Sequence, residues 1–194
     1  MHARELELLL PSLSGRTSAD LDLRFRELRK LRMLPTGGRG RHAPEIGAEH
    51  VATILIAVAG ASKAIDAAYA VTRFAGLGEV GSAGETFAEA LTDILDSEEL
   101  ARVVKSVRLC HSHTFAEIEY DGGRPARRFF QEEDIAKMEK GLGTVEGFAG
   151  ASIMDQTVIG GAVIHQLSID LNEDDEEGEL VIEASGPTET EGRK

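Results

Sequence analysis

Residues 20–33 read Asp-Leu-Asp-Leu-Arg-Phe-Arg-Glu-Leu-Arg-Lys-Leu-Arg-Met, with apolar and charged side chains recurring at the period of a helix. An apolar stripe, spaced close to i, i+4, i+7 and i+10, consists of Leu21, Phe25, Leu28 and Leu31. Thr17 or Ser18 is suited to cap the N-terminus of such a helix. The pattern predicts a basic amphipathic helix that packs on its apolar stripe and turns its arginines outward.

The segments on either side of this helix complete the order of elements found in a helix-turn-helix. Residues 3–13 predict a short leucine-rich helix, and Ser14-Gly15-Arg16 interrupts it. Residues 35–44 form a loop with three glycines, two prolines and two arginines, and residues 48–59 predict an apolar helix. A winged helix-turn-helix needs this order, because its second helix enters the major groove and its glycine-containing wing contacts phosphates.

The candidate DNA-binding residues are the basic side chains of this helix and of the loop that follows it. They are Arg24, Arg26, Arg29, Lys30, Arg32, Arg39 and Arg41. The alternative interpretation is a solvated basic helix followed by a flexible loop. The pairing of a basic helix with a basic glycine loop favours contact with nucleic acid over that alternative.

The charge is distributed unevenly along the chain. The total is −13, which at face value argues against an anionic partner. Residues 1–43, however, hold nine basic and five acidic side chains, a net of +4, whereas residues 44–194 carry a net of −17. The asymmetry indicates a basic head that binds an anion, joined to an acidic body.

A family resemblance follows from the same residues. The run Leu28-Arg29-Lys30-Leu31-Arg32-Met33-Leu34-Pro35, followed by Gly37-Gly38-Arg39-Gly40-Arg41 and a helix, resembles the winged-helix module of MerR-type regulators. Residues 15–60 also look like the N-terminal DNA-binding modules of some phage small terminase subunits. The chain lacks the tyrosine-rich wing and the long coiled coil of the MerR family. The resemblance therefore implies a phage- or prophage-type DNA-binding protein with a different C-terminal body.

The rest of the chain predicts an α+β fold. The predicted helices are residues 62–74 (on Ile65, Ala68, Tyr69 and Val71), 85–95, 97–104 and 132–140. The predicted strands are residues 107–109, 115–120, 126–130 and 157–171, with a hairpin turn at Asp121-Gly122-Gly123. The last strand is assigned because alternate residues would lie on the same side of it. They are Val163, His165, Leu167, Ile169 and Leu171.

We expect the chain to divide into four parts. They are a winged helix-turn-helix head (1–60), a helical oligomerisation region (61–104), an antiparallel β-rich domain (105–171) and a disordered acidic tail (172–194). The apolar run Ile54, Leu55, Ile56 and Val58 indicates a self-association surface. Residues 170–191 hold ten acidic and no basic side chains, with a possible short strand at 180–183. The tail could compete with DNA for the head, dock a partner or merely solubilise the protein.

Other motifs for chemistry are sparse. Cys110, His111 and His113 form a metal-like cluster. On a strand, His111 and His113 would point the same way and could both reach one zinc ion, with a third ligand such as His165 or Glu117. The favoured alternative is two surface histidines on a strand beside a buried thiol. The glycine loop lacks the Lys-Ser/Thr of a phosphate-binding P-loop, and the carboxylates lie in solvated runs. We therefore expect no catalytic residue, no metal and no cofactor.

The sequence supports two hypotheses on function. The leading one is a cytoplasmic homo-oligomer that recognises double-stranded DNA, either as a transcriptional regulator or as a small terminase-like packaging subunit. Its C-terminal part could contact a protein partner, and no membrane association is expected. The alternative is a protein-interaction adaptor or inhibitor whose acidic surface mimics DNA and which binds no nucleic acid.

Overall fold

The computed structural model describes residues 3–36, 45–81, 84–144 and 155–183, with side chains described from Glu5 to Asn172 within these ranges. The described residues form a helical layer that packs against one face of a five-stranded antiparallel sheet. The predicted α+β fold class is therefore confirmed.

The chain begins with two helices, α1 (Ala3–Ser14) and α2 (Ser18–Lys30), which lie close to their predicted positions. Thr17 caps α2 as expected, because its Oγ1 atom accepts a hydrogen bond from the Asp20 amide at 3.2 Å. The predicted apolar stripe is wrong at its last position. Leu31 is 63% exposed, since α2 ends one residue before it.

Helix α3 (Ala48–Gly60) lies at the centre of the helical layer. It contacts α2 and also two helices and one strand that follow it in the chain. Its apolar side chains point in every direction and are buried, as expected for a helix that is hydrophobic all round. Ile54, Leu55, Ile56 and Val58 are at most 8% exposed. The prediction that these four residues form a self-association surface is wrong, because they fill the core of a single chain.

The predicted helix over residues 62–74 is shorter and starts differently. A 3-10 turn (Ala64–Asp66) leads into α4 (Ala67–Phe74), which buries Phe74 completely. Ile65 and Tyr69, placed on the packed side by the sequence pattern, are 68% and 69% exposed. The buried face of α4 instead consists of its alanines together with Val71 and Phe74.

Short elements then connect the helices to the sheet. Strand β1 (Gly78–Glu79) is followed by α5 (Phe87–Leu95) and α6 (Glu98–Arg102). Helix α5 begins with a capping box in which Thr86 and Glu89 exchange side-chain and backbone hydrogen bonds.

The sheet is built on a meander of three strands. Strands β2 (Val104–Cys110), β3 (Phe115–Tyr120) and β4 (Arg127–Phe130) pair in sequence, and β5 (Gln156–Gly160) pairs with the other side of β2. The strand order is β1-β4-β3-β2-β5. The hairpin turn between β3 and β4 is confirmed, since Gly122 and Gly123 have φ angles of 72° and 78°.

The two faces of the sheet differ in chemistry. Val107, Ile118 and Phe129 lie on the face that packs against the helices, and each is fully buried. The opposite face carries charged side chains and is covered at one end by helix α7 (Glu132–Glu139). Beneath α7 lies a small apolar cluster of Cys110, Phe115 and Phe130.

Helix α8 (Gly161–Glu183) occupies most of the region predicted as a strand over residues 157–171. Ile164, Leu167 and Leu171 are buried at i, i+3 and i+7, which is helical spacing, and only residues 156–160 form a strand. The short strand predicted at residues 180–183 is also wrong, because α8 continues through it. The remainder of the acidic tail, residues 184–194, lies outside the described residues.

A single hydrophobic cluster links the helices and the sheet. It runs from Leu6 in α1 to Leu171 in α8 and includes residues on both sides of the boundary predicted near Lys105. That boundary marks a change from helix to strand and does not separate two cores.

Candidate functional site

The first candidate site is the basic helix α2, and Arg24 is its most unexpected member. The Arg24 side chain is 1% exposed, so the prediction that it faces outward is wrong. Its Nη1 atom donates to the carbonyl oxygens of Ala57 and Ala61 at 2.8 and 3.0 Å, and its Nε donates to Asp20 at 2.7 Å. Because Ala57 lies in the last turn of α3, Arg24 caps the C-terminus of that helix and cannot contact DNA.

The other three basic residues of α2 are accessible, but each is paired with a carboxylate. Arg26 and Lys30 are both 66% exposed. Arg26 lies 2.6 Å from Asp22, and Lys30 lies 2.5 Å from Glu27. Arg29 is 31% exposed, pairs with Glu7 of α1 at 3.0 Å and lies 5.4 Å from the centre of the Phe25 ring. The positive charge of this helix is therefore mostly balanced at its own surface.

Three further arginines of the N-terminal region follow the end of α2 in the sequence. Arg32 is exposed, adopts a positive φ of 58°, and makes no ion pair within the described residues. Arg39 and Arg41, the predicted wing residues, lie outside the described residues. The exposed side chains of Arg26, Lys30 and Arg32 are named here the basic surface.

The Cys110, His111 and His113 cluster is dispersed by the end of strand β2. Cys110 is buried on the charged side of the sheet, whereas His111 and His113 lie in the turn that follows and not on a strand as predicted. His165 lies 3.6 Å from Glu98, far in the chain from this turn. Within the described ranges, no group of three His, Cys, Asp or Glu side chains is placed to hold a metal ion.

His111 instead forms part of a cleft between the helical layer and the sheet. Its ring packs edge-to-face on Phe74 at 5.8 Å, and its Nε2 atom lies 3.1 Å from the Thr157 hydroxyl. Arg73 of α4 donates to the backbone carbonyl of His111 and to the Thr114 hydroxyl. The sequence pattern did not indicate this site, since its residues come from segments that are distant in the chain.

The irregular glycines at 76, 78, 81 and 84 line a second cleft. Glu132 and Glu139 of α7 face it, together with Glu79 and Glu85. Arg127 already neutralises the latter pair, with its Nη2 atom 2.7 Å from Glu79 and 2.8 Å from Glu85. The hydrogen bond with Glu79 raises the pKa of Arg127 above its ordinary value. These glycines were predicted to be connectors between helices, and they connect α4 to α5 through β1.

A charged row crosses the face of the sheet that points away from the helices. Arg108, Glu117 and Arg128 are directly opposite one another on β2, β3 and β4. Glu117 is 7% exposed and lies 2.7 Å from Arg108 and 2.6 Å from Arg128. A buried carboxylate with two guanidinium partners is satisfied as a structural group.

The chain was compared with protein-family models, curated proteins and solved structures, and none of the three comparisons found a match. Among the helices of the described ranges, none is both long enough and apolar enough to cross a membrane. Inferences about function therefore depend on the geometry and charge of the chain itself.

Proposed function

We propose that this protein binds double-stranded DNA through the basic surface, extended in sequence by Arg39 and Arg41. The observation that carries the proposal is the exposure of Arg26 and Lys30 on the side of α2 opposite its packed face. Arg32 follows at the end of the helix and leads directly into the Gly/Arg segment. Phosphate contacts of this type supply most of the affinity in protein–DNA binding.

The ion pairs of the basic surface do not prevent this role. Exposed pairs such as Arg26–Asp22 and Lys30–Glu27 contribute about 0–1 kcal/mol, because water screens both partners. A DNA phosphate can therefore replace the carboxylate at a small cost in free energy. Arg24 takes no part in the proposal, since its guanidinium is buried against α3.

The DNA-binding surface would serve a protein that acts by recognition and assembly, as a transcriptional regulator or as a small terminase-like packaging subunit. The resemblance of residues 15–60 to winged-helix modules supports both roles. Native mass spectrometry separates them, because a dimer suits half-site recognition by a regulator and a larger ring suits packaging. Arg39 and Arg41 would contact phosphates or the minor groove in either role.

A fluorescence anisotropy titration of the full chain against a random duplex at low salt tests the proposal. The triple variant Arg26→Gln/Lys30→Gln/Arg32→Gln should bind at least tenfold more weakly than the wild type. The matched control Arg102→Gln/Lys105→Gln/Arg124→Gln removes three exposed cations elsewhere and should bind within threefold of the wild type. Equal isotherms for the two triple variants would contradict a localised DNA-binding surface.

A protein-interaction adaptor or inhibitor with an acidic surface is the second candidate. It is favoured by the pairing of the basic residues of α2 with Asp20, Asp22, Glu27 and Glu7, and by the net charge of −17 over residues 44–194. Such a protein would bind no DNA in the same titration. It would instead associate with basic DNA-binding surfaces in a salt-dependent manner.

A further inference from the structure

The strongest unassigned feature is the cleft that contains His111, which has a volume of about 480 Å³. It lies where the C-terminal end of α3, helix α4 and strands β2 and β5 meet. Arg73 projects from α4, Thr157 lies on β5, and Arg16 lies between α1 and α2. The volume falls in the range of small-molecule binding sites.

Two arginines in this cleft differ from the other arginines packed within the fold. Arg16 and Arg73 are half-buried, and neither makes an ion pair within the described residues. By contrast, six other arginines of the described ranges each lie within 3.0 Å of a carboxylate oxygen. They are Arg24, Arg26, Arg29, Arg108, Arg127 and Arg128. In a chain with a net charge of −13, two half-buried cations that make no ion pair within the described residues indicate a place for an external anion.

Arg73 is held in position by neutral groups alone. Its Nε donates to the Thr114 hydroxyl at 2.8 Å, its Nη2 donates to the His111 carbonyl at 2.5 Å, and it lies 5.3 Å from the centre of the Phe74 ring. These contacts orient the guanidinium, and none of them brings a carboxylate to it. Its Nη1 atom makes no hydrogen bond within the described part of the chain. A preorganised donor of this kind costs little entropy to engage a ligand.

The remaining polar groups are compatible with an anion. The C-terminal end of α3 would repel one, but Arg24 already binds the carbonyl oxygens of Ala57, Ala61 and Ser62. Asp66 and Asp155 also line the cleft, and both are exposed to solvent. The Tyr69 side chain lies at the opening, 69% exposed.

An apolar pocket of about 150 Å³ adjoins the cleft and shares Arg16, Ala59 and Thr157 with it. Its other walls are mostly aliphatic and come from α1, α3, β5 and α8. They include Leu10, Leu13, Leu55, Val58 and Val163. A ligand bound to Arg16 therefore meets a charged compartment on one side and an apolar compartment on the other.

We propose that Arg16 and Arg73 bind the oxyanion head of a small organic acid, a carboxylate or a phosphate monoester, whose apolar body enters the adjoining pocket. Arginine is suited to both head groups because its fork of N–H donors matches two oxygens at once. The site is distinct from the basic surface, and its occupation does not depend on DNA binding.

Isothermal titration calorimetry of the full chain with hexanoate, hexyl phosphate, inorganic phosphate and 1-hexanol tests the proposal. At least one hexyl anion should bind saturably and at least tenfold more tightly than inorganic phosphate, and 1-hexanol should not bind. The relative affinity of hexanoate and hexyl phosphate identifies the head group. Binding of hexanol as tight as that of the anions, or no binding by either hexyl anion, would overturn the proposal.

Variants assign the binding to the two arginines. Arg16→Gln and Arg73→Gln should each weaken binding of the preferred anion at least tenfold, whereas Arg102→Gln, an exposed control on α6, should leave it unchanged. Arg73 also supports the turn after β2, so loss of folding in that variant would leave the decision to Arg16→Gln. The Arg16 side chain makes no hydrogen bond within the described residues, and this variant should fold normally. Unchanged affinity in Arg16→Gln would place the anion elsewhere.

Discussion

Arg24 donates a hydrogen bond from its Nη1 atom to the carbonyl oxygen of Ala57 at 2.8 Å, and so joins the middle of α2 to the last turn of α3. The same guanidinium binds the Ala61 carbonyl at 3.0 Å. A side chain that belongs to the predicted DNA-binding set is thus a structural cap between two helices. This contact fixes the buried side of α2 against α3 and leaves the opposite side accessible.

Replacement of Arg24 should therefore affect stability and not DNA affinity directly. Arg24→Met should lower the free energy of unfolding by about 3 kcal/mol, because it leaves buried carbonyl oxygens without donors. Arg26→Met removes an exposed arginine from the same helix and should change stability by less than about 0.5 kcal/mol. Urea denaturation of both variants measures the difference, and equal losses would contradict the cap.

The start of α8 depends on Gly161, which lies against the backbone of β2. A Cβ atom at this position would collide with the carbonyl oxygen of Val104, whereas nothing lies within 4 Å of a Cβ built at Gly160. Gly161→Ala should therefore lower the free energy of unfolding by about 3 kcal/mol or more, since backbone must move to admit the methyl group. Gly160→Ala is the adjacent control and should be tolerated. Thermal unfolding that shows the two variants to be equal would disprove this packing.

The carboxylate of Glu117 should be the most important charge on the exposed face of the sheet. Glu117→Gln leaves Arg108 and Arg128 facing a neutral amide, and should destabilise the protein by about 2 kcal/mol. Glu119→Gln alters a side chain that is 29% exposed and should cost clearly less than Glu117→Gln. Chemical denaturation compares them. A larger effect at position 119 would mean that burial does not set the strength of these pairs.

The capping box of α5 predicts a pH dependence. The backbone amide of Thr86 donates to the Glu89 carboxylate at 2.8 Å, which lowers the pKa of Glu89 below its ordinary value. A lowered pKa in the folded state stabilises the protein above the unfolded pKa of about 4.3, and this contribution is lost as the pH falls through the folded pKa. Glu89→Gln should therefore have a lower Tm than the wild type at pH 7.

The same two proteins should converge in Tm when the pH is lowered below the folded pKa of Glu89. Glu45→Gln, which changes an exposed carboxylate outside the helices, serves as the control and should follow the wild type at every pH. A Tm difference between wild type and Glu89→Gln that persists unchanged in acid would show that the cap acts without its charge.

Sequence periodicity was sufficient to predict the helices and strands whose pattern fits only one kind of secondary structure. Helices α1, α2 and α3, the Thr17 cap and the Gly122-Gly123 turn follow from local spacing and turn chemistry alone. Residues 163–171 fit two periods at once, because their apolar positions alternate and also recur at i, i+3 and i+7. Packing against β2 and α6 selects the helix there, which is a tertiary effect.

Arg24 was predictable in principle. It lies three residues after Leu21 and four before Leu28, so helical geometry places it on the buried face in spite of its charge. Arg16 and Arg73, in contrast, are distant in the chain and meet at one cleft only in the tertiary structure, and no local pattern relates them. The identity of an arginine in the sequence does not distinguish a cap from a ligand-binding group.

The salt dependence of DNA binding tests the central claim most directly. Anisotropy titrations of the full chain against a random duplex, from 50 to 200 mM salt, are expected to show log K falling linearly with log salt concentration. The triple variant Arg26→Gln/Lys30→Gln/Arg32→Gln should reduce that slope by about 1 for each phosphate contact removed. No affinity below about 100 µM at low salt, or an equal slope in the triple variant, would contradict DNA binding through the basic surface.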